Sequence, residues 1–78
     1  MNASDRVVHA SFPGYEVVRY DRAGKWFVEP TEKGFVARHA LSVREAVAVA
    51  LQGVERGGVV HLGRVGGSTF DRIVRAET

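Results

Sequence analysis

The chain is short and contains no cysteine. With 78 residues, of which 45% are hydrophobic, it has room for one domain with one core. The absence of Cys excludes disulfides and Cys-based zinc sites, and a net charge of +2 permits nucleic-acid binding without indicating it. The sequence has no apolar run long enough for a membrane span and no apolar secretion signal near its start, so we expect a cytoplasmic protein.

The N-terminal segment is separated from the rest of the chain by a turn signal. Its polar ends and the following Pro13-Gly14 weaken the strand pattern between them. We therefore expect an N-terminal arm over residues 1–13, either flexible or an edge strand. A single α+β domain is expected over residues 14–78.

The next part of the chain predicts a three-stranded antiparallel meander. Aromatic and β-branched residues indicate strands over residues 15–20 and 26–29. They are joined by a turn in which Gly24 takes the left-handed conformation. After a second turn, residues 35–40 are predicted to form the third strand.

A helix follows the predicted meander. Ser42 and Glu45 have the spacing of a capping box, in which each side chain bonds the amide of the other residue. Apolar residues behind it recur at helical spacing and predict a helix over residues 43–56, ended by Gly57-Gly58. The core that joins this helix to the sheet is predicted to contain Trp26, Val47 and Leu51.

The C-terminal part predicts a fourth strand and leaves one segment open. Residues 59–62 are apolar and β-branched. Gly66-Gly67 suits a hairpin turn before a fifth strand over residues 69–74, which we favour, although the same segment also fits a short helix. The fold class is therefore α+β, an antiparallel β-meander packed on one α-helix in the order β-β-β-α-β, with a fifth strand or a short C-terminal helix.

Residues that could carry catalysis are scattered along the chain. The Gly-rich stretch over residues 63–69 lacks the Lys that a phosphate-binding loop needs before its Ser or Thr. The acids Glu16, Glu45 and Asp71 fall on three predicted elements, and the three His lack the short spacing of metal-ligand pairs. We therefore predict that the chain is not an enzyme and has no catalytic residue, no metal site and no cofactor.

The aromatic residues of the first hairpin indicate a binding surface. Strand alternation puts Trp26 and Phe27 on opposite faces of the sheet. We interpret Trp26 as a core residue beneath the helix and Phe27 as a partly exposed aromatic residue. The residues predicted to contact a partner are Tyr20, Arg22, Phe27 and Arg38.

Residues 15–54 resemble the partial RNase H-like domain of HicB-type antitoxins. The resemblance lies in Tyr15-Glu16-Val17, the turn from Asp21 to Trp26, Phe27-Val28-Glu29-Pro30, Gly34 and the helix start from Leu41 to Ala46. It implies the order strand, strand, strand, helix, strand, and a non-catalytic domain that neutralises a small toxin ribonuclease. Many members of that family also carry a C-terminal DNA-binding segment. Only about twenty residues follow the predicted helix here, which puts operator binding in doubt and fits a short module of the kind that a phage or mobile element encodes.

Two functions remain open at this point. The first is a protein-binding module that occludes an unidentified partner, which is toxin-like under the resemblance. The alternative is a nucleic-acid-binding module that uses an Arg and aromatic sheet face. We also expect a homodimer through an edge strand or the open sheet face, because a small sheet with one helix leaves both uncovered.

Overall fold

The computed structural model describes residues 5–32, 37–63 and 72–76. This part of the chain forms a small α+β fold, which confirms the predicted fold class. Its elements are β1 (Arg6–Phe12), β2 (Tyr15–Tyr20), β3 (Lys25–Pro30), a 3-10 helix (Ala37–His39), α1 (Ala40–Gly53), β4 (Val59–Leu62) and β5 (Arg72–Arg75).

The strands form one sheet in the order β1-β2-β3-β4-β5. The first three strands are antiparallel neighbours, and the β2–β3 turn closes with a bond from the Gly24 amide to the Tyr20 carbonyl. Gly24 has a φ of 64°, so it takes the left-handed conformation that the sequence predicts. β4 runs parallel to β3, which requires the crossover through α1, and β5 returns antiparallel to β4.

One face of the sheet carries α1, and we call it the helix face. The opposite face is the open face. α1 lies mainly over β1, β2 and β3, with less contact to β4. Ala46 and Ala50 face the sheet, where their small side chains allow the helix to pack closely on the strands. The buried core consists of Tyr15, Val17, Val28, Ala46, Ala50, Val60 and Leu62.

The meander begins earlier than predicted. Of the two alternatives for the N-terminal segment, residues 6–12 form an edge strand, β1, which pairs with β2 along its length. The predicted strand over residues 35–40 is wrong where the structure describes it, because residues 37–39 are a 3-10 helix and α1 begins at Ala40. The meander is therefore β1-β2-β3, and the polar ends of residues 6–12 concealed its first strand.

The predicted helix is present but displaced by about one turn. Its N-cap is His39, which makes no side-chain capping bond, so the capping box of Ser42 and Glu45 is wrong. Ser42 is instead buried inside α1, 8% exposed, on the side that faces the sheet. The helix ends at Gly53 with Val54 in extended conformation, ahead of the predicted stop at Gly57-Gly58.

The displacement changes which residues fill the core. Trp26, Val47 and Leu51 all pack against the buried cluster, but each is only partly buried and lies at its margin. β4 over Val59–Leu62 is confirmed, and the strand favoured for the C-terminal segment is confirmed for Arg72–Arg75. The Gly66-Gly67 turn lies outside the described residues. No helix in the described part of the chain has the length and hydropathy needed to cross a membrane.

Candidate functional site

The open face carries one row of apolar and aromatic residues across all five strands. Directly opposed pairs follow each other from β1 to β5, so that each strand contributes one residue. We call this the central row: Val8, Val18, Phe27, His61 and Ile73. Its members share a face because residues opposite each other in neighbouring strands point the same way.

Val18, the β2 member of the central row, is covered by an ionic network, whereas Val8 on the edge strand β1 is 42% exposed. The Arg6 Nη2 atom donates to Glu16 Oε1 and to Glu29 Oε1, each at 2.9 Å. The Tyr20 hydroxyl donates to Glu29 Oε2 at 2.9 Å. These four side chains form the Arg6 network, and Val18 beside them is 0% exposed although no helix in the described ranges covers this face. Polar side chains therefore replace a second helix as the cover of Val18.

The two carboxylates of the Arg6 network raise the pKa values of the side chains that they contact. Glu16 and Glu29 lie directly opposite each other on β2 and β3, and Arg6 is placed between them. Their hydrogen bonds raise the pKa of the Arg6 guanidinium above its ordinary value. Burial raises the pKa of the Tyr20 hydroxyl, and the hydrogen bond and negative charge of Glu29 raise that pKa further.

The β3–β5 half of the central row is accessible. The Phe27 ring packs edge-on against Tyr20, with ring centroids 5.2 Å apart, and stacks on His61 at 4.8 Å. Phe27 and His61 are half-buried, and Ile73 on the edge strand β5 is 62% exposed. This part of the open face is thus a preformed aromatic and aliphatic strip, held in place by stacking.

The structure brings together two of the four predicted partner-binding residues. Tyr20 and Phe27 are in contact on the open face. Arg22 lies in the β2–β3 turn, where its amide donates to the Asp5 carboxylate. Arg38 lies on the 3-10 helix and bonds Glu32 at 2.7 Å, so neither Arg belongs to the strip.

Sequence reasoning missed three residues of this site. Arg6 lay in the segment interpreted as an arm, and Ile73 lay in the segment left open between strand and helix. His61 was predicted on a strand, but its neighbour Phe27 on β3 comes from a parallel pairing that local spacing does not reveal. The alternation of residues in β3 and β4 does indicate that Phe27 and His61 each point away from the core side of their strand.

A depression lies at the C-terminal end of α1, at one end of the strands, and extends to Lys25 and His61 of the open face. It is a groove of about 640 Å³ with Trp26, His9 and Arg19 in its wall. The His9 ring packs on Trp26 at 4.7 Å. A Cβ at Gly53 would lie 2.5 Å from the Trp26 ring, so the helix backbone also closes on this indole. Because Trp26 is already packed from two sides, the groove offers no open stacking surface.

The residues considered for catalysis are not assembled. Glu16 is engaged by Arg6, Glu45 is exposed on α1, and Asp71 lies outside the described residues. Within the described ranges, no group of three or more His, Asp or Glu is arranged to hold a metal ion. His9 and His61 pack on different aromatic residues, and His39 lies near Glu32.

No protein-family model, curated protein or solved structure matches this chain. The open face is consequently the strongest basis for a function. It combines a preformed aromatic and aliphatic strip, an adjacent polar cover whose charges are already paired, and β5 as the outer strand among the described elements.

Proposed function

We propose that the chain is a non-catalytic protein-binding module that holds its partner on the β3–β5 half of the open face. The observation that carries the proposal is the β5 end of the central row, where Ile73 is more exposed than Val8 at the β1 end. Phe27 and His61 are fixed by stacking, and Ile73 beside them is 62% exposed. Preorganised aromatic residues next to an exposed aliphatic residue are typical of the centre of a protein interface.

The charges near the strip favour a protein over a nucleic acid. Arg6 on the open face is shared between two carboxylates. Arg19 is paired with Asp21 and Arg38 with Glu32. A single-strand binding surface needs several cations that are free to neutralise phosphates beside its stacking rings. Among the described residues of the open face, Lys25 and Arg75 are the two exposed cations beside the strip. Nucleic-acid binding therefore stays the alternative.

The chemistry of the partner surface follows from the neighbouring row. The strand register places Lys25 and Arg75 on the open face, on the two sides of Val59 and next to the apolar strip. Both cations are exposed. The partner that fits is a protein with an apolar patch flanked by carboxylates, because such a surface would match both the strip and its cationic border.

The antitoxin interpretation is a more specific form of this proposal. Under it, the partner is a small toxin ribonuclease that is neutralised by occlusion. Within residues 15–54, the described segments contain two strands and one helix. Among the described elements, three strands precede the helix, as in the family's order, when β1 is included, and β1 lies outside the stretch that carries the resemblance.

The experiment compares three immobilised baits: the wild-type chain, Ile73→Glu and Leu41→Glu. Leu41 is the matched control, since it is also aliphatic and 73% exposed, but lies on α1. We expect a protein that is captured from a lysate of the native host by the wild type and by Leu41→Glu, and lost from Ile73→Glu. Titration with the purified partner should then show at least about ten-fold weaker binding to Ile73→Glu, equivalent to roughly 1.4 kcal/mol.

A nucleic-acid titration tests the alternative function. A fluorescent single-stranded RNA of random sequence is titrated at low and high salt. Affinity that falls steeply with salt and weakens on replacing Lys25 and Arg75 would support nucleic-acid binding and contradict the proposal. Equal capture by the wild type and Ile73→Glu would also contradict it. A captured small ribonuclease that the chain inhibits would support the antitoxin form.

A further inference from the structure

α1 is more apolar than a helix with one exposed side usually is. Its polar residues are Ser42, Arg44, Glu45 and Gln52, and Ser42 is buried against the sheet. Leu41 is 73% exposed, and Ala40 and Ala48 are exposed as well. A helix that is apolar on nearly all sides is typical of one that is covered on two sides.

An apolar groove runs beside the N-terminal half of α1, over β4 and β5. We call it the β4–β5 groove. It measures about 420 Å³ and includes Leu62, Val74, Val43 and Val47. Neighbouring strands lie about 4.8 Å apart, so a five-stranded sheet is wider than one helix of about 10 Å diameter. The space beside α1 therefore has the width of a second helix.

Charged residues mark the border of the β4–β5 groove. Arg44 on α1 and Arg72 on β5 both line it. Glu45 lies next along α1, on the exposed side that also carries Leu41. The occupant that fits is a helix with an exposed aliphatic residue and a carboxylate one turn later, and α1 of a second copy has this pattern.

We propose that two copies of the chain associate through their helix faces, with α1 of each copy in the β4–β5 groove of the other. Leu41 then packs on the Leu62 and Val74 of the second copy, and Glu45 pairs with its Arg44 and Arg72. The contact is self-complementary, so a two-fold axis closes it after two copies. The result is a sheet, two antiparallel helices and a second sheet, with each α1 covered on both sides.

This arrangement moves the predicted homodimer contact away from the edge strands and the open face. β1 has a register irregularity at His9, and β5 is four residues long with Arg at both ends. Bulges, short length and charge are typical defences of an edge strand against pairing. Both open faces point outward in the dimer, so the association does not depend on the proposed partner site.

Sedimentation equilibrium at micromolar concentrations tests the dimer. We expect the wild-type chain to approach twice its 8.5 kDa mass. Leu41→Glu should raise the dissociation constant at least ten-fold, since it would bury a carboxylate in the groove. Circular dichroism should be unchanged, because Leu41 is exposed in the single chain. Ile73→Glu is the matched control on the open face and should dimerise like the wild type.

A charge exchange tests the pairing across the axis. Glu45→Arg and Arg72→Glu should each weaken the dimer about ten-fold, and the double variant should recover most of that loss. Recovery would not be expected if the two residues acted only on folding. A wild-type chain that stays monomeric, a dimer that Leu41→Glu leaves intact, or a dimer that Ile73→Glu dissociates equally would overturn the proposal.

Discussion

At the scale of single residues, Arg6 resolves a conflict within the sheet. Glu16 and Glu29 face each other across β2 and β3, and like charges in that position destabilise a sheet. Arg6 reaches both carboxylates at 2.9 Å while its own side chain is 32% exposed. Its contribution is therefore larger than that of a fully solvated ion pair, and it depends on both Glu residues together.

Replacing Arg6 with Gln is expected to lower the free energy of unfolding by about 1–3 kcal/mol, because two partly buried carboxylates lose their charged donor. Adding Glu16→Gln should recover part of that loss, since only one carboxylate then remains. Urea unfolding of the two single variants and the double variant measures the coupling. Arg19→Gln is the control: it breaks an exposed pair with Asp21 and should cost under about 1 kcal/mol. Equal losses for Arg6→Gln and Arg19→Gln would contradict the role of Arg6.

Tyr20 makes stability depend on pH in the alkaline range. Its pKa is raised in the folded chain, chiefly by burial and then by Glu29. A raised pKa means that the neutral hydroxyl is favoured by folding. The resulting stabilisation is present below the unfolded value of about 10 and is lost as pH rises through the folded pKa.

The wild type should therefore lose more stability between about pH 9 and pH 11 than Tyr20→Phe does, measured by urea unfolding at each pH. In Glu29→Gln the pKa of Tyr20, followed by tyrosinate absorbance, should fall toward its ordinary value but stay above it, since burial is the larger cause. Ionisation of Tyr20 at a lower pH in the wild type than in Glu29→Gln would contradict this account.

At the scale of elements, the sequence pattern predicted the strands and the turn that depend on residues close together in the chain. β2, β3 and β4 follow from alternation and from β-branched residues, and Gly24 from turn chemistry. Tyr20 and Phe27 could be placed together because one hairpin positions both. Arg6 and Ile73 could not be placed at the site from the sequence. Their strands, β1 and β5, join the sheet by pairing, and the local sequence pattern does not predict which strands pair.

The start of α1 shows where a local pattern was misleading. Ser42 and Glu45 satisfy the spacing of a capping box, but Ala40 and Leu41 before them are strong helix formers. Packing of Ala46 and Ala50 on the sheet sets the position of the helix, and Ser42 is drawn into its buried side. A helix that begins at Ala40 makes Ser42 an interior residue.

Ser42→Ala consequently tests the helix boundary. A capping Ser would cost about 1 kcal/mol on replacement. An interior Ser replaced by Ala gains up to about 0.5 kcal/mol of helix propensity, so we expect stability to stay the same or to rise slightly in urea unfolding. The exposed Gln52→Ala substitution on the same helix is the reference for propensity alone. A loss near 1 kcal/mol would mean that the helix begins at Ser42 in solution.

At the scale of the whole molecule, β1 contributes to both faces of the sheet. On the helix face, Ala10 and Phe12 pack against the core. On the open face, Arg6 bonds the two carboxylates beside the buried Val18. The segment interpreted as an arm, flexible or an edge strand, is therefore a part of both layers from Arg6 onward.

A chain shortened to residues 13–78 is accordingly expected to be unfolded. A domain of this length has a net stability of roughly 4–12 kcal/mol. Removing β1 takes away a whole strand ladder, the burial of the partly buried Phe12, which full burial would set at about 1.5–3 kcal/mol, and the charged donor between Glu16 and Glu29. Far-ultraviolet circular dichroism and the fluorescence of Trp26, the single Trp of the chain, report the loss.

Adding a peptide of residues 1–12 to the shortened chain should restore the folded spectrum, because the missing strand pairs through the β2 edge and needs no covalent link. The same peptide with Phe12→Asp is the control: it keeps the backbone pairing but carries a charge toward the core, so it should fail to restore folding. A shortened chain that folds unaided would show that β2 and α1 can close the core without β1. Since β1 alone supplies Arg6, such a chain would also have to tolerate Glu16 and Glu29 unbridged, and its stability should then rise on Glu16→Gln.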